Sequence, residues 1–91
     1  MTYFFSYDIA DIHRRNQIAK ALEQFGFRVQ KSVFHCDVSP ELAEDIKSVL
    51  LTIINEKEDS LFFYPICADC LRKVSLIGNG EILRTETFEI L

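Results

Sequence analysis

Phe27-Arg28-Val29-Gln30-Lys31-Ser32-Val33-Phe34-His35-Cys36 is the stretch that decides the fold of this chain. It is too long and too rich in β-branched and aromatic residues to be a turn. The polar Gln30-Lys31-Ser32 set interrupts what should alternate with apolar residues. The stretch therefore reads as two strands, or one kinked strand, with the break near Gln30-Lys31. Polar residues inside a β pattern mark a bulge or a site.

Reading upstream, Asp11 can cap a helix that runs to about Phe25, with Gly26 as its left-handed stop. Ile18, Leu22 and Phe25 recur at helical spacing beside Ala19 and Ala21, and His13, Arg14, Arg15, Gln17, Lys20 and Gln24 fill the other face. Residues 2–8 read as a buried strand that stops at Asp8. Downstream, Ser39 and Pro40 open a second helix as N-cap and first helical residue. Its buried stripe is Leu42, Ala43, Ile46, Val49, Leu50, Ile53 and Ile54, and it ends near Asn55. Glu56-Lys57-Glu58-Asp59 reads as a solvated charged loop. Ser60–Ile66 is another buried strand, and Pro65 places its end at an edge. A short Cys67–Lys73 connection leads to Val74-Ser75-Leu76-Ile77, read as a last core strand closed by Gly78-Asn79-Gly80. The tail 81–91 partly alternates and can form a further strand. After such a hinge it can cross to a partner subunit. The order βαββαβ with a C-terminal strand extension predicts an α+β, ferredoxin-like fold over residues 1–80, with 81–91 as the extension. Two helices cover one sheet face, and the other is left for a second copy or a ligand.

The chain has 91 residues, one domain's worth, and 48% of them are hydrophobic. That is more apolar material than one small core easily hides, which points to an oligomer. The net charge is −4, which argues mildly against a protein that coats nucleic acid. Its distribution matters more. Residues 1–36 hold five bases against three acids, a net of +2, whereas residues 37–91 hold five bases against eleven acids, a net of −6. A polyanion would bind the first half. No stretch is long and apolar enough to span a bilayer, and no secretory signal is recognisable. With three cysteines, an odd number, a reducing cytoplasm is expected.

Four motifs could carry chemistry. Asp8 ends a strand directly above a packed core, a position suited to a metal ion, and equally to a turn or a cap. Arg14 and Arg15 lie near a helix start, where arginine forks suit phosphate, although an exposed basic face is the commoner use. Arg28 through Phe34 is the third. Cys67-Ala68-Asp69-Cys70 is the fourth. Structural packing is its leading reading, ahead of a metal clip with Cys36 or His35 and of a redox pair. Gly78-Asn79-Gly80 lacks the lysine and following helix of a phosphate loop, and neither histidine lies in a catalytic motif.

Together these motifs are more specific than any one alone. Tyr7-Asp8-Ile9, the bases at 14–15, Gly26-Phe27-Arg28-Val29-Gln30-Lys31-Ser32-Val33-Phe34 and Asp59-Ser60-Leu61 opening a strand resemble the CRISPR-associated Cas2 family over nearly the whole chain. The resemblance implies a ferredoxin-like homodimer whose C-terminal strands complete the partner's sheet. It implies a part in spacer acquisition, as a DNA-binding scaffold between two dimers of the Cas1 integrase. It also implies a Mg2+-dependent endonuclease acting on RNA or DNA. The metal residue transferred by position is Asp8, and Asp8 and Tyr7 are the catalytic candidates. Arg14 or Arg15, Arg28 and Lys31 are the nucleic-acid-binding candidates, and Phe34 supports them. One carboxylate per chain suggests that two Asp8 side chains share one ion across a twofold axis. The competing reading is a ferredoxin-like toxin ribonuclease or a regulatory ligand-binding domain, and the Gln30–Phe34 run favours the CRISPR family.

Overall fold

The computed structural model describes residues 1–77. Strand β1 spans Thr2–Asp8, helix α1 Ile12–Glu23, β2 Gly26–Gln30, β3 Val33–Asp37, α2 Pro40–Ile53, β4 Ser60–Ile66 and a short helix α3 Ala68–Lys73. The four strands form one sheet in the order β2-β3-β1-β4, with every neighbouring pair antiparallel. This is the expected split arrangement, in which β3 lies between β1 and β2. The two-strand reading of residues 27–36 holds. The polar set coincides with a register shift between Arg28 and Gln30, a bulge that ends β2.

Alternation along β1 sets the core. Tyr3, Phe5 and Tyr7 point toward the helices and are buried. They meet Phe34 and Cys36 of β3, Ile18, Ala19 and Leu22 of α1, and Ala43, Ile46 and Leu50 of α2. Val49, placed in the buried stripe by its spacing, is half exposed. Phe4, Ser6, Phe62 and Tyr64 lie on the opposite face, and the register pairs Phe4 with both His35 and Tyr64. His35 is buried there between the rings of Phe4 and Phe27.

Both caps form as expected. Asp11 accepts from the Arg14 amide at 2.9 Å and Ser39 from the Leu42 amide at 3.1 Å, with Pro40 in the first turn. Gly26 is not a left-handed stop. Helix α1 closes on Gln24 in right-handed geometry, and Gly26 opens β2. A side chain there is excluded by close approach: a Cβ would sit 2.1 Å from the His35 carbonyl oxygen and 2.8 Å from the Cys36 sulfur.

Four further expectations are corrected. Ser60–Ile66 forms a strand, but none of its residues is buried, since it lies at the sheet edge. Cys67–Lys73 is not an irregular connection. Cys67 caps α3, and Leu71 is its one buried residue. Val74–Ile77 is not a strand. Strands β1 and β3 already have neighbours on both sides, and α3 delivers residues 74–77 beside Phe4, Val29, Gln30 and Val33, where they form no ladder. Asp59 does not belong to a solvated loop, because it is buried. The boundary at residue 80 and the tail 81–91 lie outside the described residues. No helix among the described residues is long and apolar enough to cross a membrane.

Candidate functional site

Where β1 ends, the topology brings the turn between β2 and β3 alongside it. Tyr7 donates its amide to the Ser32 carbonyl at 3.1 Å, and its hydroxyl to the Lys31 carbonyl at 3.3 Å. The Arg28 guanidinium donates to the same Lys31 carbonyl at 3.0 Å. It also reaches Glu23 at 3.5 Å and lies 5.2 Å above the centre of the buried Phe34 ring. These contacts hold the turn against the end of β1. Burial raises the Tyr7 phenol above its usual value, and the positive charges of Arg28 and Arg15 partly oppose this. The hydroxyl is therefore a neutral donor near pH 7.

Asp8 is exposed one residue further on. With Tyr7, Ile9, Arg15, Arg28, Lys31 and Ser32 it lines a cavity of about 490 Å³. The sequence had singled out five of these residues as site candidates, drawn from β1, α1 and the β2–β3 hairpin. Ser32 belonged to the polar set noticed in the hairpin. Ile9 was simply the neighbour of Asp8. Phe34 is not in the wall but beneath it, carrying Arg28.

Arg14 is elsewhere. Its Nε donates to Asp59 Oδ2 at 2.8 Å, and its Nη2 to Asp59 Oδ1 at 3.1 Å and Glu58 Oε1 at 3.1 Å. The Asp59 side chain is 0% exposed and that of Arg14 24%. Asp59 also accepts from the Asn55 amide at 2.8 Å. The two-pronged bond to Arg14, with the Asn55 amide behind it, holds the Asp59 carboxyl below its usual range. The adjacent arginines thus separate: Arg14 ties α1 to the start of β4, and Arg15 faces Asp8. Nothing local in the sequence marks Asp59 as Arg14's partner, since 45 residues separate them.

Among the described residues, no three His, Cys, Asp or Glu side chains come together as a metal site. One exposed carboxylate beside a basic cavity fits the needs of Mg2+, which keeps several of its waters and is commonly held by one or two carboxylates plus substrate phosphate.

The family model for CRISPR associated protein Cas2 matches residues 1–74. The chain belongs to the Cas2 family. A relative from Chloroflexus aurantiacus, named a CRISPR-associated endoribonuclease Cas2, is 41% identical over 81 residues, covering 88% of this chain and 87% of the relative. The crystal structure of Streptococcus pyogenes Cas2 at pH 6.5 superposes with a TM-score of 0.79 at 37% identity, covering 86% of this chain and all of that one. A chain of a partial Cas6-RT-Cas1–Cas2 complex superposes with a TM-score of 0.72 at 26% identity, covering 90% of this chain and 88% of that one. These structures bear out the ferredoxin-like α+β fold expected from the sequence.

Proposed function

We propose that this Cas2 protein acts in CRISPR spacer acquisition as a homodimer that holds nucleic acid and bridges Cas1 integrase dimers, and that Asp8 supports Mg2+-dependent endonuclease cleavage. The observation that carries the reading is the Asp8 cavity: one carboxylate faced by Arg15, Arg28 and Lys31. A phosphodiester lying there meets positive charge from three side chains, of which Arg28 is the braced one. The relative named an endoribonuclease and the neighbour from a Cas1–Cas2 complex support the cleaving and the scaffolding halves respectively.

The chain's own residues divide the work. Arg28, with its guanidinium steadied over Phe34 and by the Lys31 carbonyl, offers its remaining donors to a phosphate. Arg15 and Lys31 are exposed and add charge without such bracing. Tyr7 holds the turn that carries Lys31. Asp8 would supply an oxygen ligand for Mg2+, and an ion shared by the Asp8 pair of a dimer would account for a single carboxylate per chain. Such an ion would supply Lewis-acid chemistry toward a phosphate or a water. Phe62 and Tyr64, each 47% exposed on the sheet face away from the helices, are apolar surface for the second copy.

The test is Asp8→Asn in three assays: cleavage of RNA and DNA with Mg2+, pull-down of the cognate integrase, and spacer integration. Cleavage should vanish while pull-down, integration and the dimer persist. Cutting by the variant would remove Asp8 from the mechanism. Loss of integration with the dimer intact would put the carboxylate, and not the scaffold, at the centre of the biological role.

A further inference from the structure

Three cysteines lie in two chemically different settings. Cys36 is buried in the core with no exposed surface, and burial pushes its thiol up to about 11. It is an inert packing residue. Cys67 and Cys70 are both exposed among the described residues. Cys67 is the N-cap of α3, and its sulfur accepts from the Cys70 amide at 3.4 Å. The neighbouring Cys70 thiol further lowers the Cys67 thiol and is itself raised. Cys67 is the extended N-cap and Cys70 lies one turn into α3, so the amide-to-sulfur bond already sets the Cys67 sulfur against the Cys70 backbone, and closing the disulfide needs a small backbone adjustment of this exposed first turn. No further His, Cys, Asp or Glu among the described residues joins them as a third metal ligand.

We propose that Cys67 and Cys70 are a reversible dithiol–disulfide pair that exchanges with low-molecular-weight disulfides, with Cys67 the attacking sulfur and Cys70 the resolving one. In the first step the Cys67 thiolate attacks one sulfur of the small disulfide. A mixed disulfide forms, and one small thiolate leaves. The Cys70 thiolate then attacks the Cys67 sulfur, closing the internal disulfide and expelling the second small thiolate. The two protons lost by the cysteines end on the two released thiols. Two electrons pass from the protein to the small disulfide, and an excess of small thiol reverses both steps.

The order of attack follows from this pairing. Donation from the Cys70 amide and the nearness of its thiol hold the Cys67 thiol below its usual value, with Lys73 adding a smaller push, whereas the neighbouring Cys67 raises Cys70. The closed ring spans one helical turn, so it stiffens α3 and the departure from β4 without reaching the core.

The test uses the full chain in graded glutathione and glutathione disulfide buffers at pH 7, quenched with a maleimide and read by intact mass and peptide mapping. Wild type should gain one internal 67–70 disulfide, with Cys36 labelled only after denaturation. Cys70→Ser should stop at a single glutathione adduct on Cys67. Cys67→Ser should acquire its adduct several-fold more slowly. The proposal is overturned by two glutathione adducts on wild type, by disulfides linking two chains, by no oxidation at the highest disulfide ratio, or by equal rates in the two variants. Zinc, tested alone under reducing conditions, would also overturn it if it protected both thiols from the maleimide at one ion per two chains.

Discussion

Replacing Arg15 and replacing Arg14 should affect nucleic-acid binding differently, although the two are adjacent in sequence. Arg15 faces the Asp8 cavity, whereas the Arg14 fork is closed on Asp59. Each phosphate contact removed flattens the plot of log affinity against log salt by about 0.9 for a duplex and about 0.7 for a single strand. Between 50 and 200 mM salt, a fourfold change, the loss of one duplex contact makes the fall in affinity about 3.5-fold smaller. Arg15→Ala should show that flattening, doubled if both copies of a dimer grip the same duplex. Arg14→Ala should keep the parental slope and instead lower the melting temperature, because it leaves a fully buried carboxylate without its main partner. Fluorescence anisotropy over a salt series gives the slopes, and circular dichroism confirms that each variant is folded at the assay temperature. A folded Arg14→Ala that flattens the slope as much as Arg15→Ala does would refute the division of roles. So would an Arg15→Ala slope identical to wild type.

Three other outcomes follow from contacts in the fold. Gly26→Ala places a methyl against the backbone of the neighbouring strand. It should cost about 3 kcal/mol or more, at or beyond the top of the usual overpacking range, and a denaturant midpoint close to wild type would contradict the close approach. His35 is buried with Nδ1 lacking a hydrogen-bond partner, and burial lowers its pKa against a weaker opposing pull from Asp37. The unfolded chain then binds more protons than the folded one as pH falls below about 6.5, so stability should drop from there toward the lowered folded value. His35→Leu should remove that part of the pH dependence in thermal melts, and an unaltered profile would exclude His35 as its source. Tyr7→Phe removes one of two donors to the Lys31 carbonyl and should cost about 1 kcal/mol while cleavage changes only a few-fold. A loss of cleavage by orders of magnitude at unchanged stability would make the hydroxyl a participant in the reaction.

Much of the fold was legible in the sequence because local signals agreed with one another. The caps at Asp11 and Ser39, the alternation of Tyr3, Phe5 and Tyr7, and the polar break in residues 27–36 each specify their own element. The misread features depend on what lies across from them. Gly26 follows a helix and so looks like a cap, but its constraint comes from the carbonyl of the strand beside it. Val74–Ile77 has a strand's composition, yet a strand needs a paired ladder, and after α3 these residues lie beside Phe4, Val29 and Val33 without pairing. Asp59 sits among three other charged residues and looks solvated, whereas a guanidinium from α1 draws it inward. In the candidate site, Asp8 stood out because it ends a strand, and Arg28 and Lys31 because they flank a polar break. Only three dimensions could separate Arg14 from Arg15.

The Lys31 carbonyl is where fold and site become one structure. It accepts from Tyr7 of the central strand and from Arg28 of the edge strand, and the neighbouring Ser32 carbonyl accepts the Tyr7 amide. Inserting β3 between β1 and β2 makes these bonds possible, because it sets the β2–β3 turn beside the end of β1. The same bonds fix the backbone from which Lys31 and Arg28 extend, so the positive wall of the cavity is held by main-chain geometry and not by the flexible side chains alone. Asp8 needs no bond of its own to be placed, since it is the next residue after Tyr7 on a strand laddered on both sides. A carboxylate and its facing cations are thereby set by one turn and one strand end. Among the described residues, Phe62 and Tyr64 are about half exposed on the opposite sheet face.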